Sequence, residues 1–130
     1  MERYATDTVG IVRHLKKARN IGKKAKAIFE KADKGMCVIH VPAIVLMEIL
    51  YLTEKGRVAT TVADVVDLTR KSSSYMVEPI TSDIVVVAKE ITDIPELHDR
   101  MIAATARHLN LDLITRDTII THSAFVKTIW

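Results

Sequence analysis

The chain has 130 residues, of which 48% are hydrophobic and 27% are charged, with a formal net charge of +3. This length suits one domain with its own core, so we expect residues 1–130 to form a single domain, and the composition indicates neither a disordered nor a membrane protein. The best apolar run, residues 41–47, is too short to cross a membrane. The single Cys37 and the lack of a signal peptide before Asp7 predict a cytoplasmic location.

Positive charge is concentrated at the start of the chain. Residues 1–34 hold ten Lys and Arg against four Asp and Glu, and residues 35–130 hold nine against twelve. Such a surface can neutralise the phosphates of a nucleic acid, although from charge alone a solvated face of surface helices is the better explanation. The densest part comprises Arg13, Lys16, Lys17, Arg19, Lys23, Lys24 and Lys26.

Short β-forming runs alternate with helical patterns along the chain. This alternation predicts a mostly parallel sheet covered on both faces by helices. Gly35 and Gly56 are typical helix stops, and Pro79 indicates that the third strand lies at an edge. Strands are expected at residues 3–6, 37–41, 75–80, 111–115 and 125–130. Helices are expected at residues 9–15, 23–34, 43–55, 61–71, 97–109 and 118–124, and at 84–91, where a run of valines leaves a strand as the alternative.

Glu48 is unusual for a helical carboxylate because its neighbours one turn away on both sides are apolar. These neighbours are Ile44, Val45, Tyr51 and Leu52. The pattern predicts a buried carboxylate, and burying it without a partner would cost several kcal/mol. A metal ion would satisfy it, and so would a core arginine or a strand edge with a purely structural role.

Two of the predicted strands lead to acidic residues, Asp7 and Asp117. In open α/β sheets ligands bind beyond the carboxyl ends of the strands where the strand order reverses, so both acids share one crevice if their strands are neighbours. The adjacent helices can bring Glu48 and Asp99 to the same end. Four carboxylates gathered there would repel one another and could not all stay ionised, so we expect a hard divalent cation such as Mg²⁺ or Mn²⁺.

Four segments together resemble the PIN domain family, and within it most closely the VapC-type toxins of prokaryotic toxin–antitoxin modules. They are YATDT at 4–8, VP at 41–42 leading to Glu48, LHDR at 97–100 with IAATA at 102–106, and LITRD at 113–117. The resemblance covers essentially the whole chain, and the last two segments are its most specific parts. It implies a three-layer α/β/α sandwich around a mostly parallel sheet of four to five strands, and a Mg²⁺- or Mn²⁺-dependent endoribonuclease activity.

The resemblance also implies a set of site residues. The family's acidic positions fall on Asp7, Glu48, Asp99 and Asp117, as ligands of Mg²⁺ or Mn²⁺, and Thr115 matches a position whose hydroxyl supports the site. The implied reaction is cleavage of an RNA phosphodiester by a metal-activated water. On this interpretation the basic early helices guide the RNA.

The implied partners are the RNA substrate, a small cognate antitoxin protein that binds over the site, and an identical subunit in a homodimer. Apolar residues of the first helix are candidate contacts with the protein partners, namely Ile11, Val12 and Leu15. The sequence departs from the family in one place: Val9 and Gly10 follow Asp7 and Thr8 where a polar residue is usual. This departure puts a supporting hydrogen bond beside Asp7 in question.

Other functions fit parts of the same pattern. A PIN-like nuclease of RNA processing would have the same acids, and only the short chain favours a toxin. An inactive binding module has no reason to keep four mutually repelling carboxylates. A phosphoacceptor receiver domain needs an acidic pair before its acceptor strand, and Glu2 is too remote to form one. His98 could act as a general base, but the five histidines show no metal-ligand spacing.

Overall fold

The computed structural model describes residues 1–130. The strands are β1 (Arg3–Thr6), β2 (Val38–Pro42), β3 (Tyr75–Glu78), β4 (Asp112–Ile114) and β5 (Thr128–Ile129). The helices are α1 (Thr8–Leu15), α2 (Lys23–Asp33), α3 (Ala43–Glu54), α4 (Val62–Lys71), α5 (Ser82–Glu90), α6 (Leu97–His108) and α7 (Thr118–Thr121). The five strands form one sheet in the order β3-β2-β1-β4-β5, and every neighbouring pair is parallel. The predicted three-layer α/β fold is confirmed, with β3 at an edge.

Several helices end in the same way, with one residue in the left-handed backbone region. Gly35 and Gly56 have φ values of 75° and 67° after α2 and α3, which confirms the predicted stops. Lys17 and Asn110 adopt φ values of 55° and 56° after α1 and α6, although they carry side chains. The residue after each donates a backbone hydrogen bond to a carbonyl five positions earlier, as Ala18 N does to Arg13 O at 2.9 Å.

The core lies on both sides of the central strand β1. Helix α6 packs against β1 and β4, and α5 packs against α6. The alanines Ala103, Ala104 and Ala106 are fully buried, which allows α6 to approach the sheet closely. The valine-rich segment forms helix α5 rather than a strand because Ile84 and Ala88, four residues apart, both face the core. No helix of the structure is long and apolar enough to span a membrane.

The first helix is more deeply buried than expected. Ile11 is 0% exposed and Val12 is 6% exposed, and both belong to the core, while Leu15 is half-buried against it. The prediction that these residues contact a protein partner is therefore wrong for Ile11 and Val12. The reason is that α1 packs against α2 and α3, which cover its apolar face.

The last two elements are shorter than predicted, since α7 ends at Thr121 and β5 has only two residues. The carboxylate of Asp93 accepts hydrogen bonds from the hydroxyl of Ser123 and the backbone N–H of Ala124, both at 2.8 Å. These bonds hold the chain in a loop where the helix was expected to continue. Beyond β5, the backbone oxygen of Trp130 accepts from Lys24 N and caps the start of α2.

Candidate metal centre

The strand order reverses between β1 and β4. From β1 the chain proceeds to β2 and β3 on one side, and it then returns to place β4 and β5 on the other. β1 and β4 are paired directly, with Thr6 opposite Ile114. Asp7 follows β1 at once, and Asp117 lies three residues after β4. Both acids therefore stand at the crevice where ligands bind in open α/β sheets.

A cleft of about 280 Å³ opens at this point, and all four predicted acids line it. They come from four parts of the fold: Asp7 precedes α1, Glu48 lies in α3, Asp99 in α6, and Asp117 precedes α7. The other lining residues are Thr8, Val9, Arg13, Ile102 and Arg116. The sequence-predicted acids are thus brought together around one small space.

Asp7 is the most buried of the four acids, with 7% of its surface exposed. One carboxylate oxygen caps α1 by accepting from Gly10 N at 2.8 Å, and the other accepts from the hydroxyl of Thr115 at 2.6 Å. Burial raises the pKa of Asp7 from 3.8 to about 6, and the charges of Glu48 and Asp117 add to the rise. The two hydrogen bonds lower the pKa without cancelling the effect of burial.

Gly10 resolves the question raised by its departure from the family pattern. A Cβ atom at this position would lie 2.8 Å from Thr6 Oγ1 and 3.2 Å from Asp7 Oδ1. The absence of a side chain lets the backbone N–H approach and bind the Asp7 carboxylate, so this N–H and Thr115 supply the supporting hydrogen bonds. Val9 is 39% exposed and lines the cleft. Sequence reasoning identified Gly10 only as an anomaly and not as a hydrogen-bond donor.

Thr115 connects the two strand ends. Its hydroxyl donates to Asp7 and accepts from the backbone N–H of Asp117 at 3.1 Å. Asp117 in turn caps α7, because its Oδ1 accepts from Ile120 N at 3.0 Å. The buried threonine therefore fixes the carboxylate of one acid and the backbone of the other.

Asp99 stands in the first turn of α6. Glu96 caps this helix and accepts from Asp99 N at 2.7 Å, while His98 is hydrogen-bonded to Glu96 at 2.8 Å. Partial burial raises the pKa of Asp99 from 3.8 to about 6, and the charges of Glu96, Asp117, Glu48 and Asp7 raise it further. The side chain of Asp99 forms no hydrogen bond or ion pair with the chain.

Glu48 differs from the expectation. The prediction of a buried carboxylate is wrong, since Glu48 is half-buried. Ile44 and Val45 are buried on one side of it, but Tyr51 is 53% exposed, so apolar side chains enclose only one of its neighbouring turns. The hydroxyl of Thr8 donates to Glu48 Oε1 at 2.7 Å. Sequence reasoning did not identify this link, although Thr8 lies directly beside Asp7.

The chemistry of these donors fits a hard divalent cation. Carboxylate oxygens are the ligands that Mg²⁺ and Mn²⁺ prefer, and each carboxylate has more lone pairs than the hydrogen bonds described here occupy. Arg13 and Arg116 line the cleft, yet neither forms an ion pair with an acid of the chain. As the side chains are placed, no three acidic, histidine or cysteine groups stand close enough to hold one ion. Burial is the main cause of the raised pKa values of Asp7 and Asp99 and the neighbouring carboxylate charges add to it, and a bound cation would offset both effects.

The family model of the PIN domain matches residues 4–126. The chain belongs to the PIN domain family. The match spans the segments that carry the four acids, so the motif-based resemblance is confirmed at the level of the family. Among curated proteins, none matches the chain at a significant level.

Several solved structures have a fold similar to that of this chain. The chain is similar to one in VapBC2 of Rickettsia felis bound to a promoter DNA fragment, with a TM-score of 0.71 and 18% identity over 98% of both chains. DNA-bound VapBC of Salmonella typhimurium gives a TM-score of 0.68 and 18% identity over 99% of this chain and 98% of that one. A toxin–antitoxin complex of Klebsiella pneumoniae gives a TM-score of 0.65 and 21% identity over 98% of this chain and 96% of that one. At these identities the likeness shows a shared fold.

Proposed function

We propose that this PIN domain protein is a divalent-metal-dependent endoribonuclease and the toxin of a VapBC-type toxin–antitoxin pair. One observation carries the proposal: four carboxylates from separate elements line one small cleft, and no cationic side chain pairs with them. A protein that only bound a partner would gain nothing from a repelling group of this kind. The crevice of a doubly wound sheet is also the usual position of an active site.

The proposed ligands are Asp7, Glu48, Asp99 and Asp117, with Mg²⁺ or Mn²⁺ as the ion. A bound divalent ion supplies activation of water and stabilisation of negative charge on a phosphodiester. Thr115 holds the Asp7 carboxylate in place, whereas the acids around it must move closer together to share one ion, because no three of them stand close enough. The raised pKa values of Asp7 and Asp99 imply that the ion displaces protons as it binds.

The proposed partners are RNA, a cognate antitoxin and a second copy of the chain, in the cytoplasm. The complexes from Rickettsia felis, Salmonella typhimurium and Klebsiella pneumoniae support the antitoxin, because their titles describe VapBC or toxin–antitoxin assemblies. The basic segment at residues 1–34 supports RNA as the substrate. Exposed apolar residues of α3 replace those of α1 as candidate protein contacts, namely Met47, Leu50 and Tyr51.

The direct test is cleavage of single-stranded RNA by the purified protein with Mn²⁺ or Mg²⁺ and with a chelator. We expect cleavage only with the metal, and we expect Asp99→Asn to lose it. Equal cleavage by the parent and the variant, or no cleavage under any metal, would sink the assignment. Asp83→Asn is a matched control, because Asp83 is an exposed helical acid outside the cleft.

Growth separates a toxin from a nuclease of RNA processing. We expect expression of the parent to stop growth, and we expect the Asp99→Asn form to leave growth unchanged. Normal growth with an active parent nuclease would favour the RNA-processing role.

Gly10→Ala tests the close packing beneath Asp7. The added methyl group would lie within 3.2 Å of the Asp7 carboxylate and closer still to Thr6, so one of these groups must shift. Since small displacements of a catalytic group can cost about 100-fold in rate, we expect a loss of that order in metal-dependent cleavage. Val85→Ala, at an exposed position of α5 outside the cleft, serves as the control. An unchanged rate in Gly10→Ala would show that the Asp7 position is not critical.

A further inference from the structure

A second concave surface adjoins the acidic cleft and has the opposite charge. It has a volume of about 640 Å³ and lies between α1, the loop that follows it, α2 and α4. We call it the basic groove, and its charged lining residues are Arg13, Lys17, Arg19, Lys26, Glu30 and Asp33. Arg13 lines both the basic groove and the acidic cleft, so the two spaces share a wall.

The acids of the basic groove do not balance its cations. Asp33 is already engaged, since it accepts from the hydroxyl of Tyr75 at 2.6 Å and lies 2.9 Å from the ring of His14. Glu30 and Lys26 are exposed and 4.0 Å apart, a separation at which an ion pair contributes little. Lys17, Arg19 and Arg13 form no ion pair at all. The groove is therefore a surface of net positive charge.

The end of α1 directs these cations into the groove. Lys17 adopts the left-handed backbone region, and Ala18 N donates to Arg13 O at 2.9 Å to close the turn. Arg13 NH1 donates to Asn20 O at 2.6 Å across this turn, which ties the guanidinium to the loop. A guanidinium has five N–H donors, so Arg13 keeps donors for a phosphate.

The groove offers no free aromatic surface for a base. Its only ring, that of His14, is stacked on Phe29 with ring centroids 4.6 Å apart and is bonded to Asp33. Aromatic side chains are the usual platforms on which the bases of a single strand stack. The groove therefore lacks an aromatic platform for bases, and its unpaired cations are suited to the phosphates of the backbone.

We infer that the basic groove is the track for the phosphate backbone of single-stranded RNA on one side of the scissile bond, with Arg13 as the link to the cleft. This inference rests on the proposed nuclease function. Since phosphate contacts carry no sequence information, the basic groove would contribute only to the affinity for RNA. Any preference for particular bases would then arise at the acidic cleft.

The test measures binding of a fluorescein-labelled RNA oligonucleotide by anisotropy, in an Asp99→Asn background that prevents cleavage. The groove variant combines Lys17→Gly, Arg19→Gln and Lys26→Gln. Glycine is chosen at position 17 because it adopts the left-handed backbone freely. The control variant removes the same number of charges elsewhere on the exposed surface, through Lys55→Gln, Arg57→Gln and Lys89→Gln.

We expect the groove variant to bind at least about ten-fold more weakly than its parent at 0.1 M salt, and the control to bind normally. The slope of log K against log salt should fall by about 2, since each phosphate contact with a single strand contributes about 0.7. The loss should be equal for oligo(U) and oligo(A). A thermal melt that matches the parent shows that the groove variant is folded.

Three outcomes would overturn the inference. The first is that the groove variant binds RNA like its parent, the second is that the control variant loses as much affinity, and the third is that the loss depends on base identity. If the groove variant instead bound RNA normally but lost binding to a polyglutamate peptide, the groove would be a docking surface for an acidic protein segment. A parent protein that neither binds nor cleaves RNA would overturn the proposed function itself.

Discussion

Asp7→Asn is expected to abolish metal-dependent RNA cleavage and to stabilise the metal-free protein at pH 7. Removing a proposed metal ligand should cost more than the 10- to 100-fold that is typical of its supporting hydrogen bonds, so we expect a loss above about 100-fold. Stability should rise because the buried charge is removed. The difference between a pKa of 3.8 and one of about 6 is worth about 3 kcal/mol.

The gain in stability will be smaller than this value, since an amide accepts a weaker hydrogen bond from Gly10 N than a carboxylate does. We expect a net increase of about 1 to 3 kcal/mol in the free energy of unfolding, measured by urea denaturation with a chelator present. Asp67→Asn, at an exposed position of α4, should change neither property. A variant that is inactive and also unstable would mean that Asp7 serves the fold and not a metal.

The stability of the metal-free protein is expected to depend on pH through Asp7 and Asp99. In the metal-free protein Asp7 and Asp99 both have pKa values raised from 3.8 to about 6, so between these values the folded state binds more protons than the unfolded state. The contribution of these groups to stability therefore falls as the pH rises from about 4 to about 6 and stays low above it. A bound divalent ion favours the charged carboxylates, so we expect Mn²⁺ to restore stability at pH 7 and to lose this effect below about pH 6.

The measurement is the free energy of unfolding across this range, with chelator and with Mn²⁺. At a concentration of 100 times the dissociation constant, Mn²⁺ should add about 2.7 kcal/mol at pH 7. The lowered pKa values of Glu2, Asp93 and Glu96 act in the opposite direction. The informative quantity is thus the difference between the parent and the Asp7→Asn/Asp99→Asn double variant. Parallel curves for the two proteins would contradict the expectation.

Local patterns were sufficient to predict most of the fold. The spacing of apolar residues and the stops at Gly35 and Gly56 placed the early helices within a residue or two, and Pro79 indicated the edge strand. The last elements were predicted less well. The end of α7 depends on Asp93, thirty residues away, which holds Ser123 and Ala124 out of a helix. A contact of that kind leaves no periodic signal in the sequence.

The candidate site was likewise predicted in part from local patterns and in part depends on distant contacts. The acids at strand ends and helix starts were identified from sequence, because parallel strands place their carboxyl ends at one edge of a sheet. Burial was assigned to the wrong acid. Glu48 has apolar neighbours in sequence but is half-buried, whereas Asp7 is enclosed by residues distant along the chain, including Thr115.

The sequence by itself determined the alternation of strands and helices, the four acids and the basic start of the chain, since each depends on residue type and local spacing. Only the tertiary structure decided that Asp7 is the buried carboxylate and that Gly10 N supports it. It likewise decided that Ile11 and Val12 belong to the core and that Arg13 borders both the cleft and the basic groove. Burial and adjacency are properties of the packed chain, because they arise from contacts between residues far apart in sequence.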